Sequence, residues 1–514
     1  MEIELKKEDI VLTEKIASKK IIVPVETDII VPDSKPDIER VLQVDAGCSA
    51  ENPEIQDERV LLPLTVNFQI MYMPENGEIK GISNRVQMTD VAEVKNVAKN
   101  MRSSCITGVE NVSYKLLNGR KISVRADVCV ELCVFDEKNC SMLSSAIADG
   151  MEIKTKPISF VKSDVSVTKD FKICEKIVIP ITTPSASEVL RVFAKTGDVD
   201  YKIINNKAIV KGDCTLCAVY TDKVSSEVKT KSISVPFTEI IDTEGINEEM
   251  FARVDVKSAN TSFECEQDED GEIRIINADA DFYVRISAIG TNEIETVCDC
   301  YSVKDNLKLT TDEVDLNVLI CNFSEQVNIK EKLFTPESSP EIKQIYDVMC
   351  DTNIEKMEIR ENGGEIKGVV DAYVLYVTDD KEMPVGMIKK EIPFSKFIPF
   401  EGDSDCIAEF DASAVNASFT LNAGNCAEVR CTVNLDGAVT KPLVYSVISD
   451  IEVDGNSEAS EKVASLTVYF VQENDTLWSV AKRYKTTAEL IKSANGIEGE
   501  ALVAGRQLLI PKYR

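Results

Sequence analysis

Three stretches of this chain share one pattern, and that repeat limits the fold more than any other feature. NVSYKLLNGRKISVRADVCVEL begins at Asn111, NTSFECEQDEDGEIRIINADADF at Asn260 and NASFTLNAGNCAEVRCTVNL at Asn416, so the starts lie 149 and 156 residues apart. In each, two β-like runs flank a turn rich in Gly, Asn or Asp, which reads as a β-hairpin. Ile122, Val124, Ala126, Val128, Val130 and Leu132 alternate with polar or Cys residues, so one face of that strand is buried. In the second copy the alternation shifts phase at Ile275-Ile276, which predicts a β-bulge.

Other pieces recur upstream in the same order. IIVPDSKPDIERVL (Ile29–Leu42), IVIPITTPSASEVLRVF (Ile177–Phe193) and LFTPESSPEIKQIY (Leu333–Tyr346) each read as a short strand, a Pro-marked turn and a brief helix. In the third, Ser339 is placed to cap a helix starting at Pro340, with Ile342, Ile345 and Tyr346 on one side. Ile38, Val41 and Leu42 share that spacing, as do Val189, Val192 and Phe193. Strands follow at LTVNFQIMY (Leu64–Tyr72), GDCTLCAVY (Gly212–Tyr220) and GVVDAYVLY (Gly368–Tyr376). SVPFTEII (Ser234–Ile241) and EIPFSKFI (Glu391–Ile398) come later and have no counterpart in the first copy.

The expected protein is therefore mainly β. Its expected divisions are an N-terminal segment 1–22, repeats at 23–165, 166–322 and 323–450, a polar linker 451–465 and a small domain 466–514. A repeat this long is a tandem array of domains, because solenoid periods are only about 20–50 residues. Each repeat is expected to be a sandwich or a partly open barrel, with strand order left open. In order of elements and texture the repeat resembles the SPOCS domain of spore-coat-associated proteins of endospore-forming bacteria.

After the linker, TVYFV (Thr467–Val471) reads as a strand. Leu477, Val480, Ala481 and Tyr484 form one face of a two-turn helix that Asp475 or Thr476 is placed to cap. Thr486 and Glu489 have capping-box spacing for a second helix carrying Leu490, Ile491 and Ala494, stopped by Asn495-Gly496. A loop leads to a last strand, QLLIP (Gln507–Pro511), so the order is βααβ, an α+β module. The stretches Asn474–Ala481, Tyr484–Thr487, Asn495-Gly496 and Leu502–Pro511 resemble a LysM domain.

That resemblance implies a shallow groove for N-acetylglucosamine polymers between two loops. Carried onto this sequence, the groove comprises Asn474, Asp475, Thr476, Leu477 and Trp478 with Asn495, Gly496, Ile497, Gly499 and Leu502. Leu477 and Ile497 are the residues expected to offer apolar contact. The family usually has Gly where this chain has Asn474; Asn also tolerates positive φ, which keeps the turn while placing a side chain at the groove lip. Trp478, the sole Trp, has two readings: packing within a small domain, or stacking on a ligand. Asp475 reads as a helix cap rather than an acid catalyst.

Composition narrows the function. Net charge is −30, although Leu466–Arg514 holds seven Lys/Arg against five Asp/Glu, so the acidity lies in the repeats. Such a body repels phosphate backbones, and nucleic acid is not expected as a partner. Sixteen Cys occur without any His, which removes Ser–His and Cys–His catalysis and His-ligated zinc. Cys214 and Cys217 form a CxxC inside a β-like run, where an offset of three puts them on opposite faces. Cys129 and Cys133 share a face, and Cys431 joins an apolar row. These read as reduced, mostly buried thiols, with no metal site, cofactor or catalytic residue expected.

The N-terminus MEIELKKEDI lacks the apolar stretch of a secretory signal, and no apolar run has the ~20 residues of a membrane helix. Acidic repeats joined to one LysM module resemble the SipL-like spore coat and cortex morphogenesis family of clostridial type. The resemblance implies a non-enzymatic adaptor, made in the mother-cell cytosol and assembled on the forespore surface, whose LysM module docks a coat-basement ATPase. The alternative is a peptidoglycan-binding wall protein, and an enzyme ranks third.

Overall fold

The structure, a computed structural model, describes residues 3–336, 339–380, 382–422, 426–454, 466–499 and 501–512, apart from the side chains of 163, 164 and 355. Strand pairing groups the acidic body into three units, the first two joined at a single parallel bridge, Thr13 with Ser163, into one nine-stranded sheet. The first contains β1 (Glu4–Ile30), β2 (Arg40–Ala50), β3 (Glu54–Gln56), β4 (Arg59–Met73), β5 (Lys80–Glu93), β6 (Arg102–Asn118) and β7 (Lys121–Ile147). The second contains β8 (Met151–Val178), β9 (Ala186–Ile204), β10 (Lys207–Asp222), β11 (Val228–Asp242), β12 (Phe251–Gln267) and β13 (Ile273–Ser302). The third contains β14 (Leu307–Phe334), β15 (Ile342–Arg360), β16 (Gly363–Thr378), β17 (Val385–Pro399), β18 (Ile407–Asn422) and β19 (Cys426–Val453).

In every unit the long first strand pairs antiparallel along its length with the long last one: β1 with β7, β8 with β13 and β14 with β19. These ribbons run through the divisions expected at 22/23, 165/166 and 322/323. The expected divisions follow the recurring motifs, whereas the units end where ribbon pairing ends, at the turns 148–150 and 303–306. Ile451–Val453 complete β19, and residues 455–465 of the expected linker lie outside the described residues.

The predicted hairpins are β6–β7, β12–β13 and β18–β19, the tip of the last lying outside the described residues. The second has its bulge at Arg274, one residue before the predicted phase shift. The hairpin strands and the first strand form a three-stranded layer, which in the second unit is also bridged to β9 at Ile273–Ala186. It faces a second sheet, β2-β4-β5, β9-β10-β11 or β15-β16-β17, across a common apolar core. None of the described sheets closes into a barrel.

The brief helices do not form. Ile342, Ile345 and Tyr346 lie in β15, where bulges at Lys343 and Tyr346 interrupt the pairing with β16. A bulge shifts side-chain parity by one residue, so i, i+3, i+4 spacing arises without a helix. Ile345 enters the core of its own unit and Tyr346 the core shared by all three. Val41/Leu42 and Val189/Leu190 divide in the same way. The second-unit counterpart of Ile342 is thus Ala186, three residues earlier than the spacing of Val189, Val192 and Phe193 suggested. Ser339 caps no helix; its N–H donates to the Pro336 carbonyl in a turn.

The missing Pro-Phe piece has a packing cause. Phe237 and Phe394 pair opposite Gly212 and Gly368, where an added Cβ would meet the rings at 2.8 and 2.9 Å. In the first unit Leu64 stands opposite Met88 instead. The glycine and the aromatic are lost together because each requires the other's shape.

The three units surround a pseudo-threefold axis. Leu143, Val297 and Ile448 hold equivalent register positions in β7, β13 and β19, and they meet in one cluster with Ala146, Cys300 and Ile451. Further along the ribbons Ile10, Leu12 and Met142 pack with Ile158, Phe160, Ile294, Leu316 and Val447. At the other end Met71, Val219 and Leu375, each preceding the Tyr of its strand, join a third shared core. Burial of one such side chain stabilises by about 1.5–3 kcal/mol, so the axis binds the units into one body.

Candidate functional site

The C-terminal module consists of β20 (Leu466–Phe470), α1 (Leu477–Arg483), α2 (Ala488–Asn495) and β21 (Gln507–Pro511). Its strands pair antiparallel, with Leu466 opposite Pro511 and Phe470 opposite Gln507. The predicted βααβ order is present. Thr476 caps α1 in a capping box with Ser479. Asp475 instead closes the preceding turn, accepting from the Gln472 N–H and the Tyr469 hydroxyl. Those hydrogen bonds, with Arg483 nearby, hold its carboxyl below the usual range. The cap of α2 is Thr487 rather than Thr486, whose buried hydroxyl donates to the Pro511 carbonyl.

The loops before α1 and after α2 are tied together by backbone hydrogen bonds from Val471 to Arg506 and from Gly505 to Val471. Asn474 has φ +70° and Gly496 φ +61°, so both turns rest on residues that accept the left-handed region. The ten candidate residues do not form one surface. Asn474, Thr476, Gly496 and Gly499 are exposed, and Asp475, Ile497 and Leu502 are half-buried. Leu477 is 3% exposed and faces the module core, so it offers no apolar contact to a ligand. Asn495 is structural: its amide donates to the Ile491 and Leu509 carbonyls and accepts from the Leu509 N–H. Val503, part of the LysM-like stretch but not among the ten groove candidates, is 66% exposed in the second loop.

Trp478 answers its two readings in a third way. Its ring meets Tyr301 of β13 edge-on at 5.0 Å, and its indole N–H donates to Asp299 at 2.8 Å. Lys482 pairs with the same carboxylate, Lys485 donates to Asn306, and the Tyr301 hydroxyl donates to the Thr486 carbonyl at 2.8 Å. Burial alone would raise the Asp299 carboxyl, but the hydrogen bonds from Lys482 and Trp478 take it below the usual range. Burial pushes the Tyr301 phenol upward.

The module is thereby fastened to the far end of the second ribbon. Tyr301 and Asp299 escaped sequence reasoning, although one signal was present. The register counterparts of Tyr301 are Ile147 and Glu452, so only the second ribbon ends in an aromatic. Tyr301→Ala is expected to free Trp478 from its partner and shift its emission to longer wavelength. Because the chain has one Trp, a fluorescence spectrum reads this directly; an unshifted spectrum would remove Tyr301 from the attachment.

Cys214 faces the core of the second unit and Cys217 the core on the axis, on opposite faces as the spacing predicts. Burial pushes Cys48 and Cys105 up to about 12, and Cys214 and Cys217 up to about 11. Such thiols stay protonated at neutral pH and are poor nucleophiles. Among the described residues no group of His, Cys, Asp and Glu is arranged to hold a metal, and no helix is long and apolar enough to cross a membrane.

In comparison with known families, residues 469–511 match the LysM domain. Residues 37–117, 185–266 and 341–422 each match the family described as SipL, SPOCS domain. The three SPOCS matches begin just before β2, β9 and β15 and end with β6, β12 and β18, leaving the long ribbons outside them. No curated protein and no solved structure matches the chain.

Proposed function

For a chain of SipL-like architecture, three SPOCS domains and a C-terminal LysM domain of sporulation context, we propose the role of a non-enzymatic adaptor in spore-envelope morphogenesis. Made in the mother-cell cytosol and assembled on the forespore surface, it docks through the LysM domain to the coat-basement ATPase and links coat to cortex assembly. The observation that carries this reading is the mounting of the module. Trp478 and Lys482 of α1 and Lys485 of the following joint fasten the module to the body, while Asn474, Thr476, Gly499 and Val503 face solvent on the two tied loops. A rigid body presenting a polar loop surface with an apolar tip suits a protein partner.

The test uses the full chain and a loop variant. Ile497 packs partly against the module core, so charging it would perturb fold and docking together; Val503→Glu is the cleaner probe. The wild-type protein is expected to capture the ATPase from sporulating-cell lysate. Val503→Glu is expected to reduce capture at least about tenfold, corresponding to 1.4 kcal/mol, with an unchanged circular dichroism spectrum. Retention on purified peptidoglycan without capture of the ATPase would overturn the adaptor reading. It would favour the second one, a peptidoglycan-binding role, which rests on the LysM match and the preserved turn at Asn474.

A further inference from the structure

The two-stranded sheet of the C-terminal module has one open face and one open edge. Tyr469, with Leu508 and Ile510 of β21, packs against the module core, which turns Leu466, Val468 and Phe470 outward. These three are 50%, 50% and 57% exposed, and Pro511, Leu509 and Gln507 stand opposite them on β21. The edges of the sheet differ. Asn495 closes the edge of β21, its amide donating to the Leu509 carbonyl and accepting from the Leu509 N–H. The backbone groups of Leu509 therefore point away from the ladder, and so do those of Val468 opposite it. By alternation Leu466, Val468 and Phe470 line the outer edge of β20 with their N–H and C=O groups, of which the Phe470 carbonyl accepts from the Gln472 side chain. Among the described residues no strand pairs with that edge.

The outer strands of the acidic body are guarded by lysines. Lys19 donates to the Glu93 carbonyl on β5 and Lys169 to the Ile240 carbonyl on β11, while Lys390 of β17 reaches the Lys332 carbonyl on β14. Such charges discourage the pairing of one sheet edge with another. β20 has no guard of this kind, because Leu-Thr-Val-Tyr-Phe contains no charge, no Pro and no Gly. Charge also selects this place for contact between copies. Leu466–Arg514 carries seven Lys/Arg against five Asp/Glu in a chain of net charge −30, so like-charge repulsion between two chains is weakest module to module.

We propose that β20 pairs antiparallel with the β20 of a second copy, about a two-fold axis at Val468, to form one four-stranded sheet across two modules. In this register each Leu466 lies beside a Phe470 and the two Val468 face each other, so apolar side chains meet apolar side chains on the open face. Thr467 lies beside Tyr469 on the other face, and no charges are brought together. An edge of 5 residues is small beside the ~800 Å² that each partner of a stable complex buries. The pairing is therefore weak in dilute solution and is drawn out by concentration. It uses a strand edge rather than the loops carrying Asn474 and Val503, so pairing of copies and docking of a partner are separable.

Sedimentation velocity of the full chain from about 1 to about 200 μM is expected to show the mass rising from that of one chain toward that of two. Val468→Lys sets two ammonium groups opposite each other and is expected to weaken association at least about tenfold, with Trp478 emission unchanged. Val503→Glu is expected to associate as the wild type does. Under mild oxidation Val468→Cys is expected to give a peptide linked through position 468 of both copies, whereas Thr467→Cys, which lies opposite 469, is expected to give no 467–467 link. The mass of one chain at every concentration overturns the pairing, as does association that Val468→Lys leaves intact or a 467–467 link in place of the 468–468 link. Loss of ATPase capture by Val468→Lys in a chain that stays monomeric overturns it as well, and assigns the face to that partner.

Discussion

Arg191→Ala should destabilise the acidic body by about 3–5 kcal/mol, the usual cost of removing one partner from a buried ionic group. Arg191 is 6% exposed and stands where three equivalent positions converge, its counterparts being Gln43 and Asp347. Its guanidinium lies 3.3 Å from the Asp45 carboxylate of the first unit and 4.8 Å from the centre of the Phe193 ring. Gln43 donates to the same carboxylate and accepts from the Tyr346 hydroxyl of the third unit at 2.9 Å. Asp347, 2% exposed, is held by Lys195 of the second.

One polar network thus joins all three units inside an otherwise apolar axis. Desolvation works against the charged guanidinium, and the carboxylates, Asp45 first and then Asp347, outweigh it and hold the cation. With alanine at 191, the half-buried Asp45 and the buried Asp347 lose their largest common counter-charge. Urea denaturation gives the loss. The double variant Arg191→Met with Asp45→Asn should recover much of it, because burial without charge is inexpensive. A single-variant loss below about 1 kcal/mol would mean that the axis stands on its apolar contacts alone.

The same axis marks where the sequence is legible and where it is not. Hairpins, the βααβ order and the opposite-facing Cys214/Cys217 follow from side-chain period, which is local. The supposed helices were misread because Leu42, Leu190 and Tyr346 are bulge residues: the apolar pair 345/346 serves two cores, and a period taken over so short a run cannot separate that from one helical face. The arrangement of the units was hidden for a chemical reason. Repeats are found by likeness, whereas Gln43, Arg191 and Asp347 meet by complementarity. Three copies of one charge could not share that space. The module site divided along similar lines. Its turns were legible from Asn474 and Asn495-Gly496, and the helix face shared by Leu477, Val480 and Ala481 already turned Leu477 inward, against the groove role carried over with the LysM resemblance. That Trp478 finds its partner on β13, about 180 residues earlier in the chain, was not legible, because side-chain period is local.

Leu477→Glu is expected to unfold the C-terminal module while leaving the body intact. Leu477 is 3% exposed among Val471, Val480, Ala481, Ile491, Leu508 and Ile510. Removing a buried leucine costs about 2–5 kcal/mol, and inserting a carboxylate with no hydrogen-bond donor adds the desolvation of a polar group. A domain as small as Leu466–Arg514 has little core from which to offset that loss. Its attachment through Trp478 and Thr486 depends on α1 and the α1–α2 joint being formed, so folding and docking onto β13 should fail together. The body keeps its own cores and shared axis, and should unfold at nearly its original midpoint as a separate transition. Emission of the single Trp478 should shift to longer wavelength and proteases should cut within 466–514, whereas the strand signal in circular dichroism should persist. Partner capture would disappear as well, but through loss of fold. Val503→Glu would lose capture with Trp478 still in its native environment, and the two variants together separate a contact residue from a core residue. Native Trp478 emission in Leu477→Glu would place Leu477 outside the core and return it to the groove.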